Sequence, residues 1–570
     1  MSGRKPANDH ARQSTPPALG VRRREAILLG IPLAHSMSGF LSGCSLLPGK
    51  NSDSEESGMA KLLAPPEPPE LIREAASTRG LDPIRISGVG LINSLPGSGG
   101  PADPSPSRDQ LIDEMRRNDV KDPNEILELA SNAIVLVTAT VPACAQRGDT
   151  IDLKVDSPQG SNASDLHGGW LLDTRMRLQQ VIEGRVRKGD VLGIATGPIV
   201  TRATFEGGTD ERLRTQGTIL GGATVQKSRK MGLVLRPEYQ HVKVSSDIAA
   251  AINRRFFFFD GTTRRGVAKA VEDDYIELEL HPRYEGALGR YVAVVRAIAI
   301  DKQTANQQSR LKTLATKLEN PATAADAALQ LEGLGESAIP TLTAGTQSDN
   351  PELRFYAAEA LAYLDRSDAI APLEDAIANE SAFRYPALAA LKNLSHPSVT
   401  DALVRLFDQR SIETRYGSFT TLRKRDDGLG TLSPEKIGNV LNYYRIESQA
   451  PPAIVLSSRD EPEVVVYGDP SPVKVSGAIV GPNALIVKSE PGDLSQIRIS
   501  RFEVGKDDRR SIVPASIRGI VDGILAVGGD YADVVAVLRE AKSKQYIQDQ
   551  LAIDPLPKAL RTYYREEESN

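Results

Sequence analysis

Cysteine is nearly missing from this chain. The 570 residues hold two, Cys44 and Cys144, which excludes a disulfide framework and a thiolate metal cage. Histidine is scarce too. Six are scattered along the chain, and no two stand four apart as a helical metal-binding pair requires. No Gly-x-Ser-x-Gly elbow is present, so a nucleophilic serine of that type is excluded. Aromatic residues make up 5% and tryptophan is represented by Trp170 alone. Beyond the first 43 residues no apolar run approaches the roughly 20 residues that span a bilayer. Positive charge is in deficit. Residues 1–43 carry six cations against two carboxylates, so the overall net charge of −5 leaves about −9 on the remainder. Such a chain is a poor partner for nucleic acid. The paired acids Asp273-Asp274 and Asp507-Asp508 read as solvated turn charges rather than catalytic carboxylates. No catalytic residue, cofactor site or metal site is expected, and the protein is read as a non-enzyme.

Apolar and charged fractions of 40% and 25% are those of a globular chain of several domains. The most specific local feature is Leu41-Ser42-Gly43-Cys44. It closes an apolar stretch, Ala26 to Leu41, that follows Arg22-Arg23-Arg24. Basic, apolar and small-residue segments in this order are those of an export signal, and a cysteine at the cleavage point fits a lipoprotein signal peptide over 1–43. Pro32, His35 and Ser36 interrupt the apolar run, which argues against a membrane anchor. The reading predicts lipidation of Cys44, a periplasmic location and a lipid anchor in the membrane. Ser45 favours the outer membrane. The paired arginines leave the twin-arginine route open beside the general one. Cys144, in Val141-Pro142-Ala143-Cys144-Ala145, is then expected to be a buried free thiol. Residues 44–79 read as a flexible acidic and proline-rich tether, with Pro65-Pro66-Glu67-Pro68-Pro69 as its stiff end.

From 80 to 301 the pattern is mainly β. Residues 133–140 are rich in β-branched side chains and 150–155 alternate with period two. Further strands are predicted over 231–236 and 275–280, and helices over 107–117 (capped by Ser107), 246–256 and 284–298. Near 302 the texture becomes helical and alanine-rich. Leu331, Leu361, Leu391 and Leu422 recur at spacings of 30, 30 and 31. A second helix is predicted after each of the first three, near Leu342, Leu373 and Val399–Phe407. A repeat of this length predicts an α-solenoid of HEAT-like helix pairs over 302–425. Residues 426–461 read as a linker. Beyond it, strands are predicted over 463–467, 473–479 and 485–488, then helices over 517–527 and 531–543, with 555–570 as a tail. The predicted fold class is α+β, a mainly β body split by an inserted solenoid.

One glycine-rich stretch, Gly88 to Gly100, invites a phosphate-loop reading. Pro101 to Pro106 follow it in place of a helix N-terminus, and no lysine closes it. Gly88, Gly90, Gly97 and Gly99 fit a structural motif of close backbone approach better. The same glycines, Gly88-Val89-Gly90-Leu91 with Leu95-x-Gly97-x-Gly99, resemble the opening motif of the flagellar basal-body P-ring protein family. Later segments follow in that family's order: Asn132 to Pro142, Gly148 to Val155, Asp165 to Thr174, Gly217 to Val225, Ile248 to Asn253 and Pro282-Arg283-Tyr284. Ile520 to Leu551 is similar to its closing helix pair. The resemblance covers 80–301 and 462–554, with the solenoid between. A lipid anchor and an inserted solenoid both depart from the family's pattern.

The resemblance implies a structural subunit of an envelope ring. Its partners would be copies of itself and the flagellar rod or other envelope proteins. The rival expectation is a membrane-tethered periplasmic scaffold that binds protein through the HEAT-like repeats, unrelated to motility.

Overall fold

A computed structural model describes residues 65–559 and 563, apart from 183–184, 209, 301–303, 426–429, 504 and 506. Cys44, the signal and most of the tether lie outside the described residues. Among the described residues no helix is long and apolar enough to cross a membrane.

The β-branched run Ala133–Val141 alternates burial along most of its length. It sits in a six-stranded barrel. The order is Thr150–Asp156, Ala133–Val141, Ile84–Asn93, Trp170–Ile182, Arg185–Pro198 and Gln216–Val225, and the last pairs back onto the first. Val200–Thr201 adds to the rim. Leu153, Val155, Met176 and Ile219 fill the inside, as a small barrel requires. Helices Pro106–Arg117 and Pro123–Glu128 cover Val89, Leu91 and Ile134 from outside. The first helix is capped by Ser105, which accepts from the Arg108 amide at 3.2 Å, rather than by the predicted Ser107. Pro106 at the first helical position presets φ and starts the helix two residues early.

A four-stranded antiparallel sheet follows, in the order Ala76–Arg79, Met231–Leu235, Tyr275–Leu278, Ala268–Ala270. Helices Val242–Arg255 and Leu288–Ala297 pack on it. The second was expected from Tyr284. Gly286, at φ +77°, separates a single 3-10 turn at Pro282–Tyr284 from the helix proper. Cys144 is half-buried rather than buried, and sits in the left-handed region at φ +59°.

The solenoid follows the leucine spacing. Leu331, Leu361, Leu391 and Leu422 lie in helices Ala324–Leu334, Pro351–Tyr363, Arg384–Asn393 and Ile412–Arg423, and all four are fully buried. Their partners are Ile339–Gly345, Ile370–Asn379 and Ser398–Arg405, with Thr304–Leu318 in front. Asn350 and Ser411 cap two of the first helices through their side chains. Ala357, Ala358, Ala360 and Ala362 are fully buried and let the helices approach closely.

Residues 435–456 are not a linker. Glu435–Ile437, Leu441–Ile446 and Ala453–Leu456 join Glu463–Tyr467 and Gln550–Ile553 in a five-stranded mixed sheet. Tyr444, Val455, Val465 and Tyr467 from this sheet belong to the same apolar core as the solenoid and the helix Leu288–Ala297. The solenoid is therefore built into the body. A second core unites the other face of that sheet with a four-stranded antiparallel sheet over 478–514 and the helices Ile517–Ala526 and Tyr531–Ser543. Val473 to Gly477, predicted as strand, lie outside regular structure, and the strand there is Ala478–Val480. Gly528 at φ +80° stops the first of the two helices.

Candidate interaction groove

Gly88 and Gly90 fall in the barrel strand Ile84–Asn93, where its pairing with Trp170–Ile182 shifts register. A Cβ on Gly88 would stand 2.7 Å from the Arg175 carbonyl, and one on Gly90 would stand 2.5 Å from the Thr174 hydroxyl. At Gly99 it would meet the Asn132 carbonyl at 2.2 Å. Gly97 has open space around it and a φ of +88°, so its glycine serves a turn. The space that a ligand phosphate would need beside Gly88, Gly90 and Gly99 is filled by the subunit's own chain.

A concave site forms elsewhere, where the solenoid meets the four-stranded sheet. It encloses about 1470 Å³. One wall is the hairpin Phe257–Asp260 and Thr263–Gly266, whose two-residue turn has Gly261 at φ +63°. The opposite wall is a ladder of solenoid turns that follow the leucine helices: 333–336, 364, 392–395 and 424–425. Eight arginines and lysines line the groove against three glutamates, in a chain that is acidic overall.

The cations are held in different ways. Arg283 pairs with Asp365 at 3.0 Å and Arg310 with Glu70 at 2.9 Å. Arg255 donates to the carbonyls of Glu332 and Tyr363 and lies over the Phe256 ring. Arg264 stacks 3.8 Å above Phe257 and donates to the carbonyls of Asn253 and Arg254. Among the described residues no carboxylate lies within ion-pair distance of Arg254, Arg255 or Arg264. His281 donates from Nε2 to the Phe257 carbonyl and accepts at Nδ1 from the Arg283 amide. Burial, with the charges of Arg283 and Arg255, holds its pKa below the ordinary histidine value, so it contributes shape and no charge. Phe259, at the hairpin tip, is 65% exposed. An array of stacked guanidinium groups, exposed phenyl and backbone donors suits recognition of extended carboxylate-bearing chains. It holds no nucleophile–base pair.

Sequence reading missed this groove. Its local signal was Arg254-Arg255-Phe256 to Phe259-Asp260-Gly261-Thr262-Thr263-Arg264-Arg265, an Asp-Gly hairpin turn between basic and aromatic runs. The solenoid wall left no signal, because its residues come from turns about thirty positions apart.

His167, one of the six scattered histidines, is buried where the barrel meets the C-terminal helices. Its Nε2 lies 2.9 Å from Asp533 Oδ1. Asp530 and Asp533 form a capping box at the start of Tyr531–Ser543. Burial alone would lower the His167 pKa, but the hydrogen bond and charge of Asp533 raise it above the ordinary value. Ligand atoms of His167, Asp530 and Asp533 come within 4.8 Å of one another. Both carboxylates are engaged by helix amides, and Arg501 approaches Asp533 at 3.9 Å. The trio thus serves as a joint between two parts of the fold.

Residues 71–309 match the family model described as flagellar P-ring protein, and residues 309–392 match that of HEAT repeats. The flagellar P-ring protein of Campylobacter jejuni subsp. jejuni serotype O:23/36 (strain 81-176) is 30% identical over 215 residues, which is 36% of this chain and 57% of that protein. That of Nitrosospira multiformis is 28% identical over 244 residues, 41% of this chain and 60% of the relative. The chain thus spans somewhat more than half the length of these relatives. Among solved structures, human deoxyhypusine hydroxylase aligns with 20% of this chain and 42% of its own at 21% identity, with a TM-score of 0.18. Residues 71–309 are therefore similar to flagellar P-ring proteins, and in this chain they are followed by a segment similar to HEAT repeats.

Proposed function

We propose that this protein is a structural subunit of an envelope ring of the P-ring kind, supporting the flagellar rod in the periplasm. The match of residues 71–309 to the P-ring model carries this reading. Many copies would close a collar by head-to-tail contacts, and the role needs no catalysis or cofactor. The subunit would be exported and held by a lipid on Cys44, in the outer membrane, with copies of itself and rod or envelope proteins as partners. Two measurements test this. Detergent-extracted protein should sediment as a large oligomer and give rings by negative stain. A protein that stays monomeric at high concentration, with no envelope ring containing it, would overturn the reading. Cys44→Ala should move the protein from the detergent to the aqueous phase, and intact mass should show acyl chains on the wild type alone.

The groove favours a second reading, a membrane-tethered periplasmic scaffold that binds protein through its HEAT-like repeats. Among the described residues three of the eight groove cations, Arg254, Arg255 and Arg264, have no carboxylate within ion-pair distance although the chain is acidic overall, and a bound partner would supply one.

A further inference from the structure

We infer that the groove between the solenoid turns and the hairpin Phe257–Gly266 binds an extended acidic segment of a partner protein, with spaced carboxylates and at least one aromatic side chain. The inference rests on the scaffold reading and names the partner's chemistry; it does not depend on ring closure.

Charge complementarity decides the sign of the partner. Arg254, Arg255 and Arg264 cluster on one wall, and none is neutralised by a carboxylate among the described residues. Arg255 and Arg264 are fixed by ring stacking and by bonds to backbone carbonyls, which orders their charge without neutralising it, as recognition of a partner's carboxylates requires. Phe259, exposed on the same hairpin and in edge contact with Phe257 at 5.8 Å, offers a face to an aromatic or apolar side chain. Size argues against a small anion. About 1470 Å³ exceeds the several hundred Å³ that a drug-sized ligand fills. The site also runs past turns of four successive solenoid units, as the binding surfaces of repeat proteins do.

The glutamates decide against a uniformly anionic surface. Glu70 and Glu285 line the groove with side chains 70% and 77% exposed. Paired with Arg310 and Lys392, they break up the continuous cationic surface that a membrane or a sulfated polysaccharide would need. A peptide can place its carboxylates at the arginines and its amides or a lysine at the glutamates. Gln307 and Ser395 on the solenoid side supply donors and acceptors for peptide backbone.

The test uses the whole soluble chain with Cys44 replaced by Ala, and fluorescein-labelled twelve-residue peptides read by anisotropy. One is glutamate-rich with two phenylalanines. The others exchange glutamate for lysine or for serine. The acidic peptide should bind, weaken with added salt, and lose about tenfold or more in affinity in Arg254→Glu/Arg264→Glu. Arg264→Lys should lose less, and Phe259→Ala should weaken the phenylalanine peptide while leaving an all-glutamate, serine-spaced peptide unchanged. Thermal melts of each variant check that the fold persists. Binding of the lysine or serine peptide instead, with the same dependence on Phe259, would overturn the acidic assignment and keep the scaffold. Binding of no peptide would overturn both. Tighter, arginine-dependent binding to phosphatidylglycerol vesicles or heparin would assign the groove to a lipid or polysaccharide surface and overturn the inference.

Discussion

Arg290 and Glu332 join the P-ring-like region to the solenoid. The guanidinium, on the helix Leu288–Ala297, lies 2.6 Å from a carboxylate that is fully buried on the first leucine helix. The same guanidinium reaches Glu359 on the next leucine helix at 2.6 Å. Tyr284 donates its hydroxyl to Glu332 and stacks on Tyr363 at 4.6 Å. One cation therefore serves two buried carboxylates from successive repeats.

Arg290→Met should leave both carboxylates buried without a counter-charge. Breaking a buried pair from one side costs roughly 3–5 kcal/mol, so the urea midpoint should fall steeply. A loss under about 1 kcal/mol would mean that water reaches the pair and that the joint is held by packing alone.

Sharing one arginine also sets a pH dependence. Burial, and then the neighbouring Glu332, raise the Glu359 pKa to about 7 against the opposing pull of Arg290. The unfolded value is about 4.3. The folded state thus binds the extra proton between these values. Its contribution to stability is complete below the unfolded value and is lost as pH rises through about 7. Glu463, also raised to about 7, chiefly by burial, adds a slope of the same sign. Glu359→Gln should flatten the decline between about pH 5 and 7 by roughly 1–3 kcal/mol, leaving the Glu463 share. Denaturant melts across that range read the difference directly, and parallel curves for variant and wild type would sink the assignment.

Gly90 and Gly97 separate two reasons for a glycine. Gly90→Val would drive a side chain into Thr174 and Leu171 across the barrel, which should cost roughly 1–3 kcal/mol or more as overpacking. Gly97→Ala meets no atom within 4 Å, so its cost should be the left-handed backbone alone, about 1 kcal/mol. Equal costs would contradict the packing. Export, followed by fractionation, should be untouched by either.

Leu361→Ala empties a fully buried site and should cost roughly 2–5 kcal/mol. Removing residues 302–425 entirely is a stronger test. The solenoid shares a core with Tyr291 and Val295 on one side and with Tyr444, Val455 and Tyr467 on the other. The deletion should abolish cooperative unfolding, monitored by circular dichroism. A folded remainder would show that the solenoid is a separable insertion, as the sequence alone suggested.

The repeats and the barrel strands were legible because their signals are local. Four leucines at near-constant spacing mark one buried stripe, the run 133–140 is rich in β-branched residues, and 150–155 alternates as a half-buried strand does. The strands over 435–456 were not legible. Ala453–Leu456 is four residues long and buried throughout, so it shows no alternation, and Pro451-Pro452 before it reads as loop. His167 and Asp533 stand 366 positions apart, and no pattern of either residue's neighbours announces the pair. The groove lay between these extremes. Its hairpin was readable at Asp260-Gly261, while its solenoid wall emerges only when the repeats stack.

That separation of 366 positions orders events in time. A ribosome adding 5–20 residues per second makes His167 roughly 20–70 s before Asp533. In that interval His167 has no carboxylate. Val200, Phe205 and Leu220, which later pack in the C-terminal core, stay uncovered. The strand Ala453–Leu456 likewise waits for Gln550–Ile553 to complete its edge. Until the last fifth of the sequence is present these apolar surfaces have no cover, so the barrel cannot reach its final packing without it.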